Sequence, residues 1–187
     1  DENALISSSF FYFTGYMWDT ENQKSAILKS LDICRSKGIK VAFDVADPFA
    51  VGRYKKDFLK LIKERADIVF ANVEEAKILF DMESAEKNVT ELAAMNTLAA
   101  VKCGKTGSLI KDSSSDIINI PVLNDKGCVD TTGAGDTYAA GFLYGIVKGK
   151  NAAVSGEYAS TAASAIVSKI GAQFTKEETA ELKKLIK

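Results

Sequence analysis

Short apolar runs alternate with longer amphipathic stretches along most of the chain, and that alternation sets the first expectation of its architecture. Residues 10–15, Phe10-Phe11-Tyr12-Phe13-Thr14-Gly15, are apolar and aromatic and suit a buried strand. A helix follows, capped by Asp19 or Thr20 and running to about Lys37, with Ile27, Leu28, Leu31 and Cys34 on one face and Gly38 as its stop. Residues 39–43 read as a second strand with Asp44 at its carboxyl end. Residues 54–65 read as an amphipathic helix and residues 68–71 as a third strand ending at Asn72. Strand, helix, strand in this order implies a parallel sheet with right-handed crossovers. Helix continues over residues 76–80; residues 82–95 suggest a polar helix or turn and then another short helix. Further strands are expected at 97–101 and 108–111 and, weakly alternating, at 117–122, with a polar exposed turn at 111–115. Three helices close the pattern: 137–147, 152–169 capped by Asn151, and one from Thr175 to Lys187. Ala139, Ala140, Gly141 and Gly145 let the first of these pack tightly. The expectation is one α/β domain over residues 1–187.

Composition narrows the function classes. The chain is 47% apolar and 26% charged with a net charge of −1, ordinary globular material without a basic run, which argues against nucleic acid as a partner. No apolar run reaches membrane-spanning length, and no secretory signal pattern opens the chain. Cys34, Cys103 and Cys128 are far apart and odd in number, which argues against a disulfide scaffold or zinc site and for a reducing, cytoplasmic setting. Cys128 reads as a small buried apolar residue. There is no histidine, so histidine-based nucleophilic and metal schemes fall away.

The candidate chemistry centres on Asp130-Thr131-Thr132-Gly133-Ala134-Gly135-Asp136. An apolar strand-like piece precedes it, and a helix rich in small residues follows. The first N–H groups of a helix lack internal partners and sit at the positive end of its dipole, so Gly133, Ala134 and Gly135 make an anion cradle. A carboxylate beside a phosphate site is repelled unless it has a task. In a lone Gly-x-Gly-Asp, Asp136 would merely neutralise the helix start; the seven-residue string is more specific. Asn72-Val73-Glu74-Glu75 reads as a capping box, with Glu75 reaching back to the Asn72 backbone. Gly104-Lys105-Thr106-Gly107 is not a P-loop, because that motif needs a glycine where Ala99 stands. A plain hairpin turn is the ordinary reading there.

The seven-residue string resembles the signature of the ribokinase-like, or PfkB, family of sugar and nucleoside kinases, and other family features recur in the expected order. The resemblance implies a three-layer αβα sandwich with a mostly parallel sheet. It also implies a chain that is the C-terminal part of a longer kinase, lacking the N-terminal strands and lid. It implies ATP with Mg²⁺, Asp136 as the base that takes the substrate hydroxyl's proton, and Gly133 to Asp136 as the hole for phosphate oxygens. Asn72 and Glu75 match the family's N-x-x-E, which places magnesium through water. Gly104 and Gly107, with Thr106 between them, match its G-x-x-G turn on the nucleotide. Family members set adenine between that turn and the helix carrying Ala162, Ala163 and Ser164. Asp44, Asp47 and Arg53 lie in a loop that faces substrate or transferred phosphate. Its spacing, with the Tyr16-Met17-Trp18-Asp19 stretch, looks like the adenosine-kinase-like subgroup, so the acceptor is a sugar or a nucleoside. The ordinary alternative for that loop is a free Asp-Pro turn with a solvated Arg53. Lys102 or Arg53 is a candidate for stabilising transferred charge; Lys102 and Asn72 are also expected on the nucleotide, and Asp130 on the substrate or phosphate. Asp130 and Thr132 match positions where some members hold K⁺ through backbone oxygens, with help from the segment near Gly171. A homodimer would form through the lid. The competing reading is a nucleotide-binding piece that does no chemistry alone. A Rossmann enzyme is a weaker third, since Thr132 to Thr137 lacks the third glycine of G-x-G-x-x-G.

Overall fold

The computed structural model describes residues 1–186. Its elements are α1 (Glu2–Ile6), β1 (Phe10–Thr14), α2 (Glu21–Lys37), β2 (Lys40–Asp44), α3 (Pro48–Arg65), β3 (Ile68–Asn72), α4 (Val73–Phe80), α5 (Ala85–Ala94) and β4 (Leu98–Lys102). β5 (Ser108–Lys111), β6 (Ile118–Ile120), α6 (Ala134–Val147), α7 (Ala152–Val167) and α8 (Lys176–Leu185) complete the chain, with 3₁₀ turns at Gly15–Trp18 and Gly104–Thr106. The sheet has six strands and is mostly parallel. Two compact units are distinguished: Asp1–Cys103 with Lys111–Ile117, and Gly104–Ile110 with Ile118–Lys187.

In the first unit β1 to β4 are all parallel, in registers that include Thr14↔Asp44, Asp44↔Phe70 and Asn72↔Lys102. Their carboxyl ends therefore share one edge, which carries Asp44, Asn72 and Lys102. Val41, Ala42, Phe43 and Asp44 are consecutively buried, as are Ile68 to Ala71, the mark of parallel strands covered on both faces. The core is aromatic: Phe13 stacks on Phe43 with ring centroids 4.7 Å apart, and Phe58 of α3 meets Phe43 edge-on at 5.3 Å. Thr20 is the cap of α2, accepting from the Gln23 N–H, and Gly38 ends the helix at φ 67°. Ile27, Leu31 and Cys34 are buried as expected, but Leu28 is 42% exposed, because it sits a turn's quarter away from their stripe.

α3 begins at Pro48, ahead of the expected start at residue 54. Asp47 caps it, its Oδ1 accepting from the N–H groups of Phe49 (2.8 Å) and Ala50 (2.9 Å), and Pro48 fills the first helical position, which needs no N–H. Tyr54 has φ −117° and ψ 20°, so a kink stands at the expected start. Residues 82–95 hold a single helix, α5, capped by Ser84.

In the second unit β5 and β6 pair antiparallel, Ser108↔Ile120 to Ile110↔Ile118. β6 is only three residues long, so residues 121–133 form an irregular connector before α6. α6 starts at Ala134 rather than at residue 137, with Gly133 as its cap. Cys128, expected to be buried, is exposed on that connector. α6 and α7 pack backbone to backbone: a Cβ at Gly141 would stand 2.9 Å from Ala159 Cα and from Tyr158 O. Gly141→Ala should therefore force the helices apart and cost about 1–3 kcal/mol, read as a lower urea midpoint with unchanged m-value.

Candidate functional site

At the carboxyl edge of the first unit, burial and charge are combined. Lys102 ends β4 and Asp44 ends β2, with β3 between them, roughly 10 Å at normal strand spacing. The lysine stem spans that gap, and Nζ donates to both Asp44 oxygens, at 3.2 and 2.9 Å. Asp44 is buried and its Oδ1 also accepts from the Ala46 N–H at 3.1 Å. Ala46 takes φ 70°, a left-handed conformation unusual for a residue with a Cβ.

Beside this pair, Asn72 and Glu75 form a complete capping box at the start of α4. Asn72 Oδ1 accepts from the Glu75 N–H (2.9 Å), and Glu75 accepts from the Asn72 N–H (2.7 Å) and Nδ2 (2.6 Å). Glu75 is 2% exposed. Burial pushes its carboxyl from the ordinary 4.5 up to about 7; Lys102 and the Asn72 N–H pull it down, while Asp44 and Asp47 push it up. Both Glu75 oxygens are already engaged by Asn72. Among the described residues no three His, Cys, Asp or Glu side chains cluster to hold a metal ion. Glu75 therefore suits Mg²⁺ through an intervening water and does not suit it as a direct ligand. Arg53 lies in α3, not in a loop; it is exposed and pairs with Asp19 at 3.4 Å.

In the second unit the signature forms a tight bend onto α6. Gly133 has φ 75°, and a Cβ there would stand 2.8 Å from Ala172 Cβ, so both conformation and space call for glycine. Asp130 braces the bend. Its Oδ1 accepts from Thr132 N–H (2.9 Å) and Oγ1 (2.6 Å), and its Oδ2 from Gly171 N–H (2.9 Å). The Thr132 hydroxyl, then the Gly171 and Thr132 N–H groups, hold the carboxyl down at about 2. Asp130 is thus spent on holding the chain, and any cation at Asp130 and Thr132 would rest on main-chain oxygens. The Ala134 N–H donates to Thr131 O at 3.1 Å, and the helix ladder opens with Thr137 N–H to Gly133 O at 2.9 Å. The amides of Gly135 and Asp136 lie between these two, in the first turn. Asp136 is exposed. Gly104 and Gly107 bracket the 3₁₀ turn with φ 59° and 94°, and Thr106 is exposed on it. Ala162 is buried on α7, as is Ser164, while Ala163 is half-buried.

The pfkB family carbohydrate kinase model matches residues 1–180. The chain belongs to the pfkB family. It is 28% identical over 198 aligned residues to a 5-dehydro-2-deoxygluconokinase of Bacillus licheniformis, covering 100% of this chain and 59% of that protein. It is 33% identical over 157 residues to an uncharacterized sugar kinase of Archaeoglobus fulgidus, covering 83% and 58%. The crystal structure of adenosine kinase from Sinorhizobium meliloti superposes with a TM-score of 0.92 at 32% identity, covering 99% of this chain and 57% of that one. The chain thus spans well under two thirds of the length of these relatives, and its sheet and helices are the ribokinase-like α/β fold. No helix among the described residues is long and apolar enough to cross a membrane.

Within each unit the residues expected from the sequence are drawn together as far as Asp44, Asn72, Glu75 and Lys102 in one, and Asp130, Thr132 and Gly133 to Asp136 in the other. Arg53 stands apart on its Asp19 pair. The ion pair of Asp44 with Lys102 joins residues 58 apart, and neither carries a local pattern that names the other. Two consequences are measurable. Lys102→Met would strand a buried carboxylate and cost about 3–5 kcal/mol, with much of it recovered in the Asp44→Asn, Lys102→Met double variant, by chemical denaturation at pH 7. Because the Glu75 carboxyl is raised in the fold, its stabilising proton is fully held below pH 4.5 and lost as pH climbs through about 7. The stability of the wild type relative to Glu75→Gln should fall between pH 5 and pH 8.

Proposed function

We propose that the complete protein transfers the terminal phosphoryl group of ATP to a hydroxyl of a sugar or nucleoside. One observation carries the reading: a left-handed glycine turns the chain onto the 14-residue helix α6, whose third residue is an exposed aspartate. Phosphoryl transfer asks for alignment and for dipoles or charge around the moving group, with little covalent help. The Gly133 to Asp136 turn, at the positive end of the α6 dipole, supplies the dipoles. Asp136 orients the acceptor hydroxyl and takes its proton; an alcohol is a weak acid, so the transfer is late and orientation dominates.

Mg²⁺, when bound with ATP, would neutralise charge on the phosphate oxygens, and Glu75 would hold one of its waters. Asn72, Gly104, Thr106, Gly107 and Ala162 serve the nucleotide in this reading. Lys102 holds Asp44 in place through bonds to both of its oxygens. The three free cysteines suit a reducing, cytoplasmic setting.

The family, and the subgroup look of the Asp47-Pro48-Phe49 stretch, support sugar and nucleoside acceptors alike, because one scaffold hosts many substrates. A second reading is favoured by the chain's spanning 57–59% of its relatives: residues 1–187 alone bind nucleotide without turnover. ATP consumption with a panel of hydroxyl compounds separates the two, comparing the complete gene product with residues 1–187. In the complete product, Asp136→Asn should cut turnover by at least ~10²-fold; near-normal turnover would remove Asp136 from this role.

A further inference from the structure

The connector of residues 121–133 has no regular structure, yet its main chain is bound along one side of α7. Ser160 Oγ accepts from the Leu123 N–H (3.0 Å) and donates to Pro121 O (2.8 Å). Next to it, Thr161 Oγ1 accepts from Asn124 Nδ2 at 3.2 Å. Further along α7, Val167 O accepts from the N–H groups of Val129 (2.7 Å) and Asp130 (3.2 Å). Past the helix end, the Gly171 N–H reaches the Asp130 carboxylate. Ser160 and Thr161 are 6% and 5% exposed. A buried hydroxyl weakens a helix relative to alanine, and it is tolerated when its partner needs it. Here the partner is the strand of connector leading to the signature.

We infer that Ser160, with Thr161 beside it, is a positioning residue for the nucleotide: it fastens the connector to α7 and thereby fixes where the first turn of α6 presents its amides. The inference rests on the reading of that turn as the phosphate-binding element. Ser160 satisfies a donor and an acceptor of the connector at once, so its removal leaves both Leu123 N–H and Pro121 C=O without a partner in a half-buried setting. Thr161 acts through Asn124, which holds φ 54°.

The test uses the complete gene product. Ser160→Ala should weaken ATP binding about tenfold by calorimetry and speed amide hydrogen exchange over residues 123–136. Ser160→Thr, which keeps the hydroxyl, should bind ATP within about twofold of wild type. Asn124→Gly removes the Thr161 bond while relaxing a left-handed residue, so it keeps the fold; it should weaken ATP binding about threefold. If Ser160→Ala fails to fold, Asn124→Gly decides alone. ATP affinity unchanged in the variants that fold, or weakened only in step with melting temperature and without faster exchange in the connector, overturns the inference. Asp136→Asn keeps the two readings apart. Normal turnover with a weakened Ser160→Ala sinks the catalytic reading alone, and lost turnover with an unaffected Ser160→Ala sinks this one. A wild type that does not bind ATP sinks both.

Discussion

Two helices that meet backbone to backbone control the second unit. α6 and α7 approach closely because Gly141 faces Ala159 and Gly145 faces Ser155, where any added carbon would collide. That contact orients the α6 axis and brings its first turn beside the segment after α7, where Gly133 lies on Ala172. The connector inherits its path from the same pair. Each hydroxyl or carbonyl of α7 that it touches is placed by the helix period, at 160, 161 and 167. A small-residue helix thus serves as a straightedge for a piece of chain that has no structure of its own.

The first unit depends on a different constraint, charge taken out of water. Asp44 and Glu75 are both buried beside one lysine, and the desolvation cost is offset by specific donors, among them Lys102 and the Ala46 amide for Asp44 and the two Asn72 donors for Glu75. The two carboxylates end up in opposite conditions. Asp44 has a direct cation, whereas burial raises the Glu75 carboxyl against the pull of Lys102 and the Asn72 N–H. Parallel pairing places this arrangement, since it sends the carboxyl ends of β2, β3 and β4 to the same edge.

Elements whose signal is local were legible. The Thr20 cap, the Gly38 stop, the Asn72–Glu75 box and the Thr175 cap all follow from neighbours within a turn of one another. So did the α/β class, from the spacing of apolar runs, and the pfkB family, from seven adjacent residues. Misreadings arose where local and distant preferences compete. Asp47-Pro48, expected in a loop, caps a helix with proline at its first position, which only the chain beyond it decides. Leu28 is apolar but lies off the buried stripe. The burial of Cys128 depends on the path of an irregular connector, which no periodicity announces. The Asp44–Lys102 pair needs the sheet register before its members can be matched. On α7, Ser160 and Thr161 bind the connector, which no local sequence pattern announces.

The bracing of the connector also bears on the entropy of whatever docks at the first turn of α6. A free loop of this length would have to be frozen on binding, at a cost of about 1–2 kcal/mol per residue in backbone freedom. Here the hydrogen bonds of Ser160, Thr161, Val167 and Asp130 divide it into short spans already fixed by the fold. Folding has met that cost in advance, so the bend is preorganised, and under the proposed reading a phosphate's contacts with it would be available as affinity.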